Sequence, residues 1–461
     1  MTNNSKKIAI IGAGPGGYVA AIRAAQMEAD VTLIEKSFLG GTCTNLGCIP
    51  TKCLVYAVSK IRCAREICPL SKYQKLDISP FMERKDLVVN KLKKGIEFLL
   101  KRNGVNLIYG TGKLLSKSIV KVNTEHGEEK IEVDNIILAT GSSPLKLRIF
   151  DFKQPTVLTS DDLILLKEIP NSMVIVGGGV VGCELALIFH FLETDVTVIE
   201  MLPHLLPLQD VRQSRYIERS FKKEGINYLT NSRVDGVKKY GKDHIVLSLA
   251  TGDEVKAEKV AVCIGRSPNS KDLGLEDLNI EVDRGFVKTN NKMETNVKGI
   301  YAVGDLVGGK MLAHVASVQG EIAVENIMGH DVNFDDSIIP ITIYTYPQVS
   351  SVGLNPEQAK DKGYEILSGK FPLSAIAKAN AIGEIEGFVQ IVAEKNSGKI
   401  LGSQMVGAEV SELIHLVAFA MQRKVLIKDF SEMIASHPTL SEAVREAALT
   451  CLGRPIHTIK L

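Results

Sequence analysis

An α/β fold built from two copies of one strand–turn–helix unit, closed by an α+β region at the C-terminus, is what this sequence predicts. Three observations carry that prediction. A glycine-punctuated motif opens the chain and returns later with the same internal spacing. The length, 461 residues, exceeds what one hydrophobic core usually organises. After Pro340 the pattern changes: strands such as "ITIYT" and "FVQIVAE" are followed by helices from Ser411 and Leu440.

Bulk composition narrows the classes. With 45% hydrophobic and 23% charged residues, the chain is that of a soluble globular protein. Its 55 basic and 53 acidic residues leave +2, with no long basic stripe, which argues against a nucleic-acid partner. The longest apolar run, "VIVGGGVVGCELALIFHFL" from Val174, contains Glu184 and four glycines, so it reads as strand, tight turn and buried helix and not as a membrane span. Seven residues precede the strand "IAIIG", too few for a signal peptide, and a cytoplasmic location is expected. Eight cysteines are too sparse for a disulfide-stapled fold.

The first copy, "IAIIGAGPGGYVAA", places Gly12, Gly14 and Gly17 in G-x-G-x-x-G, and "VTLIE" ends at Glu35. In the second, "MVIVGGGVVGCELA" places Gly177, Gly179 and Gly182, and "VTVIE" ends at Glu200. First glycine and acid are 23 residues apart in both. Both copies close alike, "VDNIILATGSSP" through Gly141 and "AEKVAVCIGRSP" through Gly265. A lone glycine motif is weak evidence; two in register, each followed by a strand-end acid, are strong. The first glycine makes the tight turn, the second lets a pyrophosphate approach the backbone, and the third lets helix and strand pack closely. The helix N-terminus offers unpaired N–H donors to phosphate. Glu35 and Glu200 are expected to accept from ribose hydroxyls, and a carboxylate at 200 would repel a 2′-phosphate, favouring NAD over NADP. Two Rossmann-like dinucleotide-binding domains follow. Between the copies, "MERKDLVVNKLKKGIEFLLKRNG" predicts a long helix with Leu92, Ile96 and Leu99 on one face, and "SIVKVN" and "KIEVDN" predict a small antiparallel insertion.

"GGTCTNLGCIPTK" sets Cys43 and Cys48 in a small, polar segment soon after Glu35. Zinc would need about four ligands at fixed spacings, and no Cys or His cluster accompanies the pair. A structural disulfide closing so short a loop would gain little. A redox pair fits best. Nicotinamide moves only hydride and a dithiol reacts through thiolates, whereas a flavin can do both, so FAD belongs in the first site and NAD in the second. Near the C-terminus, "SHPTLSEAVREA" offers His437 as an acid–base group oriented by Glu442. Thr439 and Glu442 equally match a capping box, and spacing alone leaves both readings open. Cys183, Cys263 and Cys451 lie in apolar or helical settings and read as small core residues.

Together, "GPGGYVAAIRAAQ", the cysteine motif, "ATGSSP", "GGGVVGCELA", "YAVGDLVGGKMLAH", "IYTYPQVSSVG" and "SHPTLSEAVREA" resemble the flavoprotein disulfide reductase family along essentially the whole chain, in its dihydrolipoamide-oxidising branch. That resemblance implies an FAD-binding domain over 1–146, an NAD-binding domain over 147–270, a central segment over 271–340 completing the FAD site, and a dimerisation domain over 341–461. It implies Cys43 as the interchange thiol, Cys48 as the thiol against the flavin, and Lys52 beside the flavin ring, paired with Glu184. Asp305 would hold the ribityl chain, with Thr42, Thr140, Gly141, Ser142, Met311, Leu312 and Ala313 also along the FAD; His314 would be a positioning residue. Gly112 and Val234 match further contacts to FAD and NAD. His437 with Glu442 would serve the disulfide of the partner subunit, which implies a homodimer, and the substrate would be a lipoyl arm borne by an acyltransferase or carrier protein of a multienzyme complex. A sister reductase acting on another thiol with NADPH is disfavoured by Glu200 and Val180, since the glutathione branch usually has tyrosine at the latter. Mercuric reductase is disfavoured because Cys451 stands alone. A scaffold-only flavoprotein would not need the dithiol and base that are both present. Two mild departures from the family pattern are Thr51, in place of a common serine, and Glu193, in place of a glycine.

Overall fold

The computed structural model describes residues 5–68 and 77–459. They form two compact units, one of residues 1–147, 159–168 and 265–335, the other of 148–158, 169–264 and 336–461.

In the first unit, five parallel strands run in the order Ile300–Ala302, Asn135–Leu138, Lys7–Ile11, Asp30–Glu35 and Asn106–Tyr109. Ile8 and Ile10 point to one face and Ala9 and Ile11 to the other, and both faces are covered. That double coverage is why the strand reads as an unbroken apolar run, as parallel strands do. The edge strand Ile300–Ala302 comes from the segment 271–340, so that segment completes this sheet. The helix Pro15–Gln26 packs on the helix Ala313–Ile327. A Cβ on Gly320 would lie 2.4 Å from the Gly16 carbonyl oxygen, so this crossing needs a residue without one.

The second unit repeats the plan. Asn227–Leu229, Asp195–Ile199, Ser172–Val176 and Lys259–Val262 are parallel, with Val157–Thr159 at the edge. Each unit also carries a three-stranded antiparallel sheet. Thr111–Ser116, Ile119–Thr124 and Gly127–Glu132 are the insertion expected from the sequence, and Val234–Tyr240, Ile245–Leu249 and Glu254–Ala257 are its counterpart. The C-terminal α+β region is a five-stranded antiparallel sheet in the order Ile341–Ile343, Gln348–Gly353, Ile400–Gly407, Phe388–Glu394, Ile366–Pro372. The helices Val410–Gln422 and Glu442–Cys451 pack against it, and their Val417, Val444 and Ala447 bury completely.

The long helix spans Ser79–Arg102, but its buried stripe is Lys85, Val89, Ile96 and Leu100. Of the three positions expected inside, only Ile96 is; Leu92 and Leu99 are exposed. Apolar spacing identified the helix and misjudged its face by one step, because Lys85 is held inside by donating to the Ile164 carbonyl. Cys183, Cys263 and Cys451 are buried, as expected. Glu193 adopts φ +75°, a left-handed conformation in which a glycine would be unstrained.

Candidate functional site

The two glycine turns divide into positions required by the protein itself and positions left open. Gly12 has φ +103°, and a Cβ there would lie 2.4 Å from the Ala139 oxygen; at Gly17 it would lie 1.8 Å from the Gly12 oxygen. Gly177 (φ +109°, 2.5 Å from the Cys263 oxygen) and Gly182 (1.9 Å from the Gly177 oxygen) repeat this. The middle glycines differ. A Cβ on Gly14 would meet nothing nearer than 3.9 Å, and one on Gly179 nothing within 4 Å. Their φ values, −71° and −74°, suit any residue. Packing therefore does not require glycine at 14 or 179, whereas a pyrophosphate lying on the backbone does. The helices that follow, Pro15–Gln26 and Val180–Phe191, have no side-chain cap, which leaves their first N–H groups to an anion.

The strand-end acids hold these turns. Glu35 Oε2 accepts from the Ala13 N–H at 2.7 Å, and Oε1 from Ser37 at 2.7 Å and Phe38 at 3.2 Å. Glu200 Oε2 accepts from Gly178 at 2.7 Å and Oε1 from Leu202 at 2.8 Å. The carboxylates expected to meet ribose thus also brace the backbone; Glu35 Oε1 already accepts twice, while Glu35 Oε2 and both Glu200 oxygens accept once here and have a second lone pair for a hydroxyl. The Cys183 thiol donates to the Gly178 carbonyl at 3.2 Å, and burial pushes that thiol far up, so it is inert.

Cys43 and Cys48 are seated against the first turn. The Gly40 N–H donates to the Ala13 carbonyl at 2.8 Å, and a Cβ on Gly41 would lie 2.7 Å from the Gly14 Cα. Two consecutive glycines with positive φ, 84° and 56°, permit this approach. Cys43 and Thr42 then lie on the short helix Gly41–Asn45, and Cys48 is the first residue of the 20-residue helix Cys48–Ile67, which also carries Lys52. Both cysteines are thiols. The Cys43 thiol is pushed far up, first by its hydrogen bond with the Cys48 side chain and then by burial, with Lys52 acting in the opposite sense. Cys48 sits in the first helical turn, where the dipole favours negative charge. Burial and the neighbouring Cys43 raise the Tyr18 phenol, which places the first-repeat helix beside the pair.

The closing segments of the two copies, alike in sequence, pair with one another: Ser142–Pro144 runs antiparallel to Arg266–Pro268. Asn269 stitches the turn further, its side chain donating to the Thr140 carbonyl at 2.9 Å and its own carbonyl accepting from the Thr140 hydroxyl at 2.8 Å. Arg266 Nε donates to Ser142 Oγ at 2.7 Å, and that hydroxyl donates to Asp305 Oδ2 at 2.5 Å. Gly304, beside Asp305, donates to Gln319 Oε1 at 2.8 Å. Met311 (φ +43°) and Leu312 lead into the helix that begins at Ala313, with His314 exposed in its first turn. Gly112 packs its α-carbon on Ile11, where a Cβ would approach to 3.2 Å. Arg266, Asn269 and Gln319 were missed by the sequence reading. The likeness of "TGSSP" to "GRSPN" was the available signal for the first two.

In the second unit, Glu184 is fully inside its helix, 3% exposed, and past the first turn, so dipole preference does not explain it. Its Oε1 accepts from the Tyr344 N–H at 2.8 Å. Val234 is buried at the start of the second antiparallel sheet, and Gly265 (φ +124°) has open space where a Cβ would be. His437 and Glu442 come together: His437 Nδ1 lies 2.9 Å from Glu442 Oε1, and Glu442 Oε2 accepts from the Thr439 N–H at 2.9 Å. The Thr439 hydroxyl donates to the Ser436 carbonyl, and its oxygen accepts from no N–H of the helix that follows, so only the Glu442 half of the capping box forms. Burial would raise the Glu442 carboxyl, but His437 and the Thr439 N–H outweigh it and hold the group below the usual carboxylate range. His437 is 69% exposed, with its second ring nitrogen available to an incoming group. Among the described residues there is no cluster able to hold a metal ion and no helix long and apolar enough to cross a membrane.

Residues 6–320 match the family described as pyridine nucleotide-disulphide oxidoreductase, and 339–448 match its dimerisation domain, which supports a homodimer. A dihydrolipoyl dehydrogenase of Halobacterium salinarum is 39% identical over 98% of this chain and 97% of its own. One of Bacillus subtilis is 38% identical over 98% and 97%, and the mitochondrial enzyme of Pisum sativum 37% over 99% and 93%. Among solved structures, LpdA of Mycobacterium tuberculosis superposes with a TM-score of 0.90 at 28% identity, covering 96% of this chain and 99% of its own. The HOCl-induced flavoprotein disulfide reductase RclA of Escherichia coli does so with 0.87 at 25%, covering 96% and 99%.

Proposed function

The chain belongs to the pyridine nucleotide-disulphide oxidoreductase family, and on that premise we propose that it is a dihydrolipoyl dehydrogenase, oxidising a lipoyl dithiol at the Cys43–Cys48 pair. It is an NAD-dependent flavoprotein oxidoreductase, with FAD and NAD as cofactors. The observation that carries the proposal is the seating of the two thiols against the first glycine turn.

The chain's own residues account for the thiol chemistry. With the pair oxidised, one substrate thiol gives its proton to His437 and attacks Cys43 Sγ. The Cys43–Cys48 bond breaks, a mixed disulfide forms, and Cys48 leaves as a thiolate. The second substrate thiol attacks the mixed disulfide and transfers its proton to Cys43 as that sulfur is released. The substrate leaves as a disulfide, having lost two electrons and two protons, and the protein holds a thiol at 43, a thiolate at 48 and a proton on His437. Glu442 fixes the imidazole through Nδ1 and stabilises its charged form. FAD, when bound, supplies the acceptor for the electron pair and the means of passing hydride to NAD. The first glycine turn, Glu35, Thr140–Ser142, Asp305 and Ala313 would hold the FAD; the second turn, Glu200, Val234 and Gly265 would hold the NAD. Lys52 paired with Glu184 would favour the flavin's reduced form.

The four segments bounded at 146, 270 and 340, the use of His437 on the partner subunit's disulfide, and a lipoyl-bearing acyltransferase or carrier protein as the docking partner all belong to this reading. A cytoplasmic location does too, in keeping with the sparse cysteines. The test is an anaerobic titration of the purified protein with dihydrolipoamide, followed by visible absorption, and then addition of NAD. A long-wavelength thiolate–flavin band followed by NADH is the expected result. An unchanged spectrum with dihydrolipoamide, in a protein that NADH bleaches, would overturn the substrate and leave the cofactors standing.

A further inference from the structure

A cleft of about 460 Å³ in the second unit is lined by an unusual concentration of positive charge, and no residue assigned above to either dinucleotide or to the dithiol takes part in it. Arg212, Arg215, Arg219 and Lys222 project from the helix Val211–Glu224, and Lys370 faces them from the strand Ile366–Pro372. Only Arg212 is neutralised, by Asp210 at 2.5 Å and Glu357 at 2.8 Å. Arg215, Arg219, Lys222 and Lys370 make no ion pair with a carboxylate among the described residues; Asp210, already bound to Arg212, offsets only part of what burial and the arginines do to Lys370. The one acid in the lining, Glu218, is occupied: its Oε1 accepts from the Leu205 N–H and lies 3.1 Å from His204 Nδ1.

The cations are also held in place. The Arg219 guanidinium lies over the Tyr216 ring at 4.2 Å, and the Lys370 ammonium over the Phe388 ring at 4.3 Å, with those two rings 5.4 Å apart. Burial, and then the charges of Arg212 and Arg219, pull the Lys370 ammonium below its ordinary value, so the group is poised to gain from a neighbouring anion. Arg215 and Arg219 stand four apart on one helix face, a like-charge spacing that disfavours the helix. Glu218, on the same helix, offsets only part of that repulsion, and a bound anion would relieve the rest.

We propose that this cleft binds a small anion bearing two or more phosphate groups. The two guanidinium forks left without an ion pair, Arg215 and Arg219, suit phosphate oxygens better than point-charge ammonium groups do. The volume lies in the range of small-molecule sites, and Tyr216 and Tyr228 supply flat walls with hydroxyl donors. Concavity and size favour this occupant over an acidic polypeptide laid across a surface. The inference does not rest on the dihydrolipoyl reading.

The experiment is calorimetric titration of the full-length, FAD-loaded protein with inorganic tripolyphosphate at fixed ionic strength. One saturable site per chain is expected, with the affinity falling about tenfold or more in the Arg215→Gln/Arg219→Gln double variant and less in Arg219→Lys. Lys370→Met should weaken it independently, and all variants should keep wild-type NAD-linked turnover, because none touches a dinucleotide turn. Non-saturable binding, equal affinity in the double variant, or full competition by sulfate at matched ionic strength, meaning an adventitious ion only, would each overturn the proposal. So would a short polyglutamate peptide binding where tripolyphosphate does not.

Discussion

His437 is an exposed histidine whose Nδ1 already faces Glu442, and in the proposed function that one-sided commitment suits it to act as a base. Replacing it by Gln should cut dihydrolipoamide oxidation by roughly 10²- to 10⁴-fold while leaving reduction of the flavin by NADH near its wild-type rate, as stopped-flow absorption would read. Equal loss of both half-reactions would mean that His437 is structural. Glu442 answers in pH. Its folded value is depressed, so its contribution to stability is present above the ordinary carboxylate value of about 4.3 and disappears as the pH falls through the lower folded value. The gap in urea midpoint between the wild type and Glu442→Gln should be open at pH 7 and close in that acid window. A gap that widened on acidification would reverse the sign and refute the pairing. Half of the capping box forms, and it leaves room for the proposed acid–base role, because Glu442 accepts from the Thr439 N–H with one oxygen and faces His437 with the other.

At the scale of an element, the glycine turns separate folding from binding. Gly177→Ala places a Cβ 2.5 Å from the Cys263 oxygen at φ +109° and should destabilise the second unit by about 1–3 kcal/mol. Gly179→Ala meets no atom within 4 Å and should cost under about 1 kcal/mol, chiefly as a poorer N-cap, while the KM for NAD rises about tenfold or more. Thermal melts beside steady-state kinetics would separate the two; an unchanged KM in Gly179→Ala would remove the turn from the NAD site. Gly320→Ala is the corresponding test of helix packing. A Cβ 2.4 Å from the Gly16 oxygen should lower stability by about 1–3 kcal/mol, seen as an earlier urea midpoint. Motif spacing exposed both turns and both acids, because those depend on residues near in sequence. The face of the helix Ser79–Arg102 was misjudged because a buried lysine, satisfied by a carbonyl 79 residues away, took an inward position.

For the whole molecule, a homodimer with shared sites makes a prediction that a self-contained subunit does not. Chains carrying Cys43→Ser and chains carrying His437→Gln should each be nearly inactive alone. After subunit exchange, a mixed dimer regains one intact site, and an equal mixture should recover about a quarter of the wild-type sites. No recovery, with mixed dimers confirmed by mass, would place His437 on its own chain's disulfide.

What the sequence determined by itself was whatever short-range chemistry demands: two glycine turns with their acids at matched spacing, a cysteine pair in a small-residue segment, a histidine five residues before an acid, and a change of pattern after Pro340. Tertiary structure decided the rest, since it depends on groups far apart along the chain. It paired the two closing segments, ran Arg266 through Ser142 to Asp305, turned Glu35 and Glu200 back onto their own turns, and set Lys370 against the arginines of a helix about 150 residues earlier in the chain. Local pattern says which residues can do chemistry. Only the folded backbone, by spending their hydrogen-bonding capacity on particular partners, says which of them are left to do it.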